Sequence, residues 1–176
     1  HLDSLSAEVG HTVHLAQLDN AQVLYVDKRT AAQPVEMFSD AGKVGPAYCT
    51  GVGKAMLAFL TGQDLERAIG QQSFHRFTEY TCTTRKALGD ELTAIRARGY
   101  AFDREEHEPG IICVAVPILT SRGRVLGGLS ITGATRLISM DHLEALAPRL
   151  LHTAQAIAAE AEAWRFPDTH FQKTGS

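Results

Sequence analysis

Apolar residues recur along this chain with two different periods, and the switches between them mark its elements. Leu2, Leu5 and Val9 fall on one helical stripe that Gly10 is placed to end. Thr12 to Leu18 and Val23 to Lys28 alternate or run apolar on either side of Leu18-Asp19-Asn20-Ala21, the pattern of a β-hairpin. From Thr30 to Pro46 the periodicity lapses among Pro34, Gly42, Gly45 and Pro46, which predicts a short strand within loops. Thr50-Gly51-Val52-Gly53 leads into the strong helix formers Lys54 to Leu60, closed by Gly62. A second short helix covers Asp64 to Ile69 and ends at Gly70, and Gln71 to Thr83 has the composition of a loop. Leu88, Leu92 and Ile95 stand at i, i+4 and i+7, an amphipathic helix stopped by Gly99.

After Gly99 the pattern predicts an acidic loop, the buried strand Ile111 to Ile118, a tight turn, and a second strand through Gly128-Leu129-Ser130-Ile131-Thr132-Gly133. Strands have period 2, so Ile111, Cys113 and Ala115 share one face of the first, and Gly128, Ser130 and Thr132 one face of the second. A turn centred near Arg122 and Gly123 sets Cys113 across from Thr132 and Ala115 across from Ser130. Leu143, Leu146, Leu150, Ala154, Ile157 and Ala161 mark a long closing helix, bent or interrupted near Pro148, and residues 166–176 read as a loose tail. Helix, hairpin, helices, hairpin, helix is the order of an α+β domain, an antiparallel sheet packed by helices.

The chain's 176 residues suffice for one domain with its own core. A net charge of −3 argues against this chain gripping nucleic acid by itself, since phosphate binding needs a concentrated positive face. No apolar run has the length of a membrane span, and the start carries no signal-peptide pattern. Cys49, Cys82 and Cys113 are too few and too widely spaced for a disulfide framework or a zinc cluster, which points to a reducing, cytoplasmic setting. His1 to Val9 reads as the tail of a helix already under way, so a segment upstream is expected.

Several motifs fail on inspection. Gly51-Val52-Gly53-Lys54 lacks both the earlier glycine of a phosphate loop, where Tyr48 stands, and the following Ser or Thr, replaced by Ala55. Gly128-Leu129-Ser130-Ile131-Thr132 has threonine where a nucleophile elbow needs glycine. Glu105, Glu106, His107 and Glu108 contain no HExxH or CxxC metal spacing, and the acidic loop reads as a solvated connection; no metal or cofactor is expected. His11, His14 and the remaining histidines are scattered and read as structural or exposed. Two features survive. Thr50 can cap a helix whose glycines open its N–H groups to an anion, although the glycines serve equally well for close packing on the sheet. The small, polar patch of Cys113, Ser130 and Thr132 can line a pocket, with Asp103 at its mouth to accept from a ligand hydroxyl or amide; otherwise Ser130 and Thr132 simply bond neighbouring backbone. No nucleophile, base and orienting group come together, so binding fits better than catalysis. The competing class is an enzyme of small-molecule metabolism with Cys113 or Ser130 as nucleophile, and a third reading is a purely oligomeric role.

The blocks Gly10-His11-Thr12-Val13, Val23-Leu24-Tyr25-Val26-Asp27-Lys28, Thr50 to Ala58, Arg96 to Glu106, Gly110 to Ile118 and Leu129 to Gly133, in this order, resemble the C-terminal effector-binding domain of the IclR family of bacterial transcriptional regulators. The resemblance implies a GAF-like α+β domain, an antiparallel sheet flanked by helices with a pocket on one sheet face. It implies a small organic or aromatic acid as effector, with contacts at Met37, Gly51, Val52, Asp103, Ile111, Cys113, Ser130 and Thr132. It further implies residues 1–10 as the end of a linker helix, residues 11–165 as the effector domain, a homodimer or homotetramer, and promoter DNA bound through an N-terminal winged helix-turn-helix that this chain does not contain.

Overall fold

Six strands form a single antiparallel sheet in the computed structural model of the chain, which describes residues 1–30, 37 and 39–164. The elements follow in the order α1 (Leu2–Val9), β1 (Thr12–Asp19), β2 (Gln22–Arg29), β3 (Val44–Gly45), α2 (Gly51–Leu57), α3 (Gly62–Gly70), α4 (Arg85–Arg98), β4 (Ala101–Arg104), β5 (Ile111–Leu119), β6 (Val125–Ala134) and α5 (Met140–Ala163). Across the sheet the strands run β3-β2-β1-β6-β5-β4. The architecture is α+β, as the order of elements predicts, and no helix among the described residues is long and apolar enough to cross a membrane.

Alternation along the strands divides the core into two layers. Val13, Val114, Val116, Leu129 and Ile131 point to one face and pack with Leu5 of α1 and with Leu143, Leu150 and Ala154 of α5. Ala16, Val23, Tyr25 and Ala115 point to the other, against Val52 and Met56 of α2, Ile69 of α3, and Leu88, Leu92 and Ile95 of α4. Both predicted hairpins form. Asn20 and Ala21 take positive φ angles of 46° and 63° between β1 and β2, the left-handed pair that a two-residue hairpin turn of matching twist needs. In the second hairpin Cys113 pairs with Thr132 and Ala115 with Ser130, the register that period 2 and the turn position predict. Pro117 lies beyond the last β4 pair, at Ala115, where β5 has no neighbour on that side.

Three expectations need correction. The helix read as running from Lys54 to Leu60 ends at Leu57, and Gly62 opens α3 instead of closing its predecessor; Thr61 is the N-cap, in extended conformation. Part of the predicted acidic loop is strand: Ala101–Arg104 pairs residue for residue with Ile112–Ala115 as β4. Pro148 does not interrupt α5, which runs unbroken for 24 residues because Leu143, Ala147, Leu150, Ala154 and Ala158 hold both halves against one core. Between Thr30 and Pro46, the described residues hold the short strand expected there, the two-residue β3. The predicted tail, residues 166–176, lies outside the described residues.

Glycine positions separate packing from permission. Gly89 sits inside α4, without a positive φ, and a β-carbon there would meet nothing within 4 Å. Gly89→Ala is therefore expected to raise stability by about 0.5–1 kcal/mol, read as a higher urea midpoint at unchanged slope.

Candidate functional site

The site occupies the sheet face turned toward α2. Cys113, Ser130 and Thr132 line it from β5 and β6, and β4 adds Asp103 beside Cys113 in the ladder. The start of α2 supplies Gly51 and Val52; Ile111 comes from the β5 entry, and Met37 from the stretch between β2 and β3. All eight predicted contact residues thus line one cavity, together with His14, Tyr25, Ser39, Thr50, His107 and Glu108. Its free volume is about 30 Å³, room for a couple of waters. The Ser39 wall is held by side-chain bonds: the Lys28 ammonium donates to the Ser39 carbonyl (2.8 Å) and to Asp40 (2.9 Å), and the Ser39 hydroxyl meets His14 Nε2 at 2.9 Å.

Close packing explains the glycines of α2. A β-carbon on Gly51 would overlap the Cys113 sulfur, and one on Gly53 would lie 2.5 Å from the Ala47 backbone. Thr50 is the N-cap residue, yet its hydroxyl donates to the Pro46 carbonyl at 2.7 Å and caps no α2 N–H. The Gly51 N–H lies against the Cys113 sulfur. With seven residues and its first donor taken, α2 offers little of the anion-attracting helix start that its sequence suggests.

The acidic segment is not a solvated connection. Asp103 and Glu106 are buried, as is the whole of α2, including Lys54 at 1% exposure. The Lys54 ammonium donates to Glu106 Oε2 (2.5 Å) and lies 3.8 Å from Glu91, which is itself paired with Arg98 at 2.8 Å. The Glu106 N–H donates to Asp103 Oδ1 at 2.8 Å. Thr78 and Thr81, from the long loop before α4, donate to the Glu105 and Glu106 carbonyls at 2.6 and 2.7 Å. Burial, and then the neighbouring Glu106 carboxylate, push the Asp103 carboxyl up to about 7, against the pull of the Glu106 N–H and Lys54.

His14, read from the sequence as structural or exposed, lines the cavity instead. It is buried, faces Ser130 across the β1–β6 pairing, and sets its ring between Ser39 and Thr132, whose hydroxyl lies 3.4 Å from Nδ1. Burial and the Lys28 ammonium push it down to about 4, so the ring is neutral at pH 7. A neutral imidazole has one donor and one acceptor, so the two hydroxyls take opposite roles. A signal for it existed: His14 alternates in phase with Thr12 and Ala16, on the face that meets Ser130 and Thr132. Burial raises the Cys113 and Cys49 thiols above their ordinary range, which keeps them protonated and weakly nucleophilic. Among the described residues no group of three or more His, Cys, Asp or Glu side chains is placed to hold a metal ion.

Residues 1–159 match the family described as the C-terminal domain of the bacterial transcriptional regulator IclR. The HTH-type transcriptional regulator BhcR of Paracoccus denitrificans is 33% identical over 157 residues, 89% of this chain and 56% of that relative. The chain therefore spans little more than half the length of that relative. Among solved structures, the Thermotoga maritima IclR protein superimposes with a TM-score of 0.86 at 35% identity, over 91% of this chain and 65% of its own. The inducer-binding domain of the PobR transcription factor from Acinetobacter, a double mutant in complex with 3-hydroxybenzoic acid, has a TM-score of 0.78 at 28% identity, over 89% of this chain and 93% of its own.

Proposed function

This chain belongs to the IclR family of bacterial transcriptional regulators, and we propose that it is the part of its protein that senses a small organic acid, aromatic or aliphatic, in the cavity between α2 and the sheet. The observation that carries this reading is the convergence of Met37, Gly51, Val52, Asp103, Ile111, Cys113, Ser130 and Thr132 on one lined cavity. The PobR relative, with 3-hydroxybenzoic acid bound, supports the chemical class. Ser130, Thr132 and Tyr25 offer neutral hydroxyl groups to a carboxylate, while Glu108 suits a ligand hydroxyl. The domain is not an enzyme in this reading. Both ring nitrogens of His14 are engaged by Ser39 and Thr132, and the Cys113 thiol stays protonated.

Effector binding changes regulation by favouring one arrangement of a cytoplasmic homodimer or homotetramer, whose promoter contacts lie in a DNA-binding domain upstream of this chain. The relay runs through α1. Arg149 of α5 holds Glu8, Arg29 of β2 holds Asp3, and the Ser6 hydroxyl donates to the His11 carbonyl, three residues before His14. Thermal unfolding against a panel containing 3-hydroxybenzoate, pyruvate and other small acids tests the reading. An acid at about 100 times its Kd adds about 2.7 kcal/mol, several degrees in a domain of this size, and Ser130→Ala removes most of that shift. A panel in which no acid moves the transition would overturn the reading.

A further inference from the structure

An acid entering this cavity meets no fixed cation among the described residues that line it. Neither lysine nor arginine is among the described residues that line it, whereas two carboxyl groups are, Asp103 and Glu108. Two ammonium groups lie behind its walls, and both are matched: Lys54 is bonded to Glu106 and approached by Glu91, itself held by Arg98, and Lys28 donates to the Ser39 carbonyl and to Asp40. His107 lies 3.7 Å from Glu108, and His14 is shared between two hydroxyls. Putting the effector's carboxylate beside an ionised Asp103 would set like charges together in a site with little water, where their repulsion is weakly screened. Resting on the acid-sensing reading above, we propose that the pocket binds its acid together with one proton, which Asp103 takes from solvent so that its carboxyl group donates a hydrogen bond to the effector's carboxylate.

The surroundings of Asp103 favour this exchange. Its Oδ1 accepts the Glu106 N–H, a bond that survives protonation on the other oxygen. The groups around it are Glu106 and His107 in the loop after β4, Cys113 on β5, Cys49 ahead of α2, Tyr25 on β2 and Lys54 on α2. Of these only Lys54 is a fixed cation, and it is already matched by Glu106. Burial and Glu106 place the Asp103 carboxyl at about 7, so near neutral pH the proton is within easy reach. The effector's own carboxyl group, ordinary in water, stays ionised over the same range. Asp103 is thereby a specificity-determining residue: it admits an anion when protonated and rejects it when ionised. The pocket reads the concentration of acid and the pH together.

Calorimetry with 3-hydroxybenzoate and with pyruvate, at about pH 6 and about pH 8 in buffers of different ionisation enthalpy, tests the proposal. Wild type is expected to bind about tenfold more tightly at the lower pH and to take up about one proton per acid at the higher. Asp103→Asn keeps the shape and always presents a donor; its Kd is expected to change less than about twofold between the two pH values, with no proton uptake. Pairing of an ionised Asp103 with a ligand hydroxyl predicts the reverse pH dependence, which would overturn the inference, as would either of two other results. One is pH-indifferent binding by wild type without proton uptake. The other is an Asp103→Asn protein, folded by its thermal transition, that binds as poorly as Asp103→Ala at both pH values. If neither acid binds wild type at either pH, the acid-sensing reading fails for these acids and the proton linkage falls with it, an outcome distinct from binding without linkage.

Discussion

Lys54→Met is expected to destabilise the domain by about 3–5 kcal/mol, a large part of the roughly 5–15 kcal/mol that holds a domain of this kind together. The lysine is almost fully buried, and its ammonium is 2.5 Å from a Glu106 oxygen that is nearly as well hidden. Methionine fills the same volume but strands the Glu106 carboxylate, whose remaining backbone donor, the Arg104 N–H, lies at a long 3.4 Å. The loss comes from that stranded charge, not from an attraction forgone, and this distinction can be measured. Lys54→Met combined with Glu106→Gln removes both charges while keeping the shape, and it is expected to recover most of the loss. Urea denaturation of wild type, both single variants and the double variant closes the cycle. An additive double variant would mean that the two side chains do not share a buried charge balance. The pair also ties α2 to the loop behind Asp103, so the single variant is expected to loosen the wall on which Asp103 sits.

Where period alone decides geometry, this sequence is transparent. Cys113 opposite Thr132 and Ala115 opposite Ser130 follow from the alternation of two strands and the position of one turn, both local properties. Asp103 is recognisable by its place just beyond the Gly99 stop, yet its strand is not. Ala-Phe-Asp-Arg in an acidic stretch has no strand pattern of its own and becomes β4 only by pairing with β5. His14 stays hidden for a related reason, since its meeting with Ser130 and Thr132 requires β1 to lie beside β6, more than a hundred residues away in sequence. Lys54 left a subtler trace. The α2 sequence, Gly-Val-Gly-Lys-Ala-Met-Leu, offers no polar face, so its one charge had to be buried and paired; no local rule names the partner as Glu106. Pro148 is the converse case, a local rule for interruption overridden by a helix face that packs along its whole length.

Acidification is expected to act on the two buried titrating groups of the pocket with opposite signs. His14 falls from its ordinary 6.5 to about 4 in the fold, so the stability it contributes is complete above 6.5 and is lost as pH drops toward 4. At about 1.4 kcal/mol per pH unit that loss is about 3 kcal/mol. Asp103 rises from 3.8 to about 7, so its contribution is complete below 3.8 and is lost as pH climbs through 7, by about 4 kcal/mol. Between about pH 4 and 6.5 the two nearly cancel in wild type, and single variants unmask each. The advantage of wild type over His14→Gln is expected to shrink by about 3 kcal/mol on acidification across that window. Over the same range and up to about pH 7, the advantage of wild type over Asp103→Asn is expected to grow as pH falls. Urea midpoints at several pH values supply both difference profiles, and the remaining carboxylates, common to each pair, drop out. A flat profile for His14→Gln would mean that the ring keeps its ordinary value in the fold and is protonated below about 6.5. Below that pH a cation would then stand 3.4 Å from the Thr132 hydroxyl, able to receive an acid directly and to compete with a proton on Asp103.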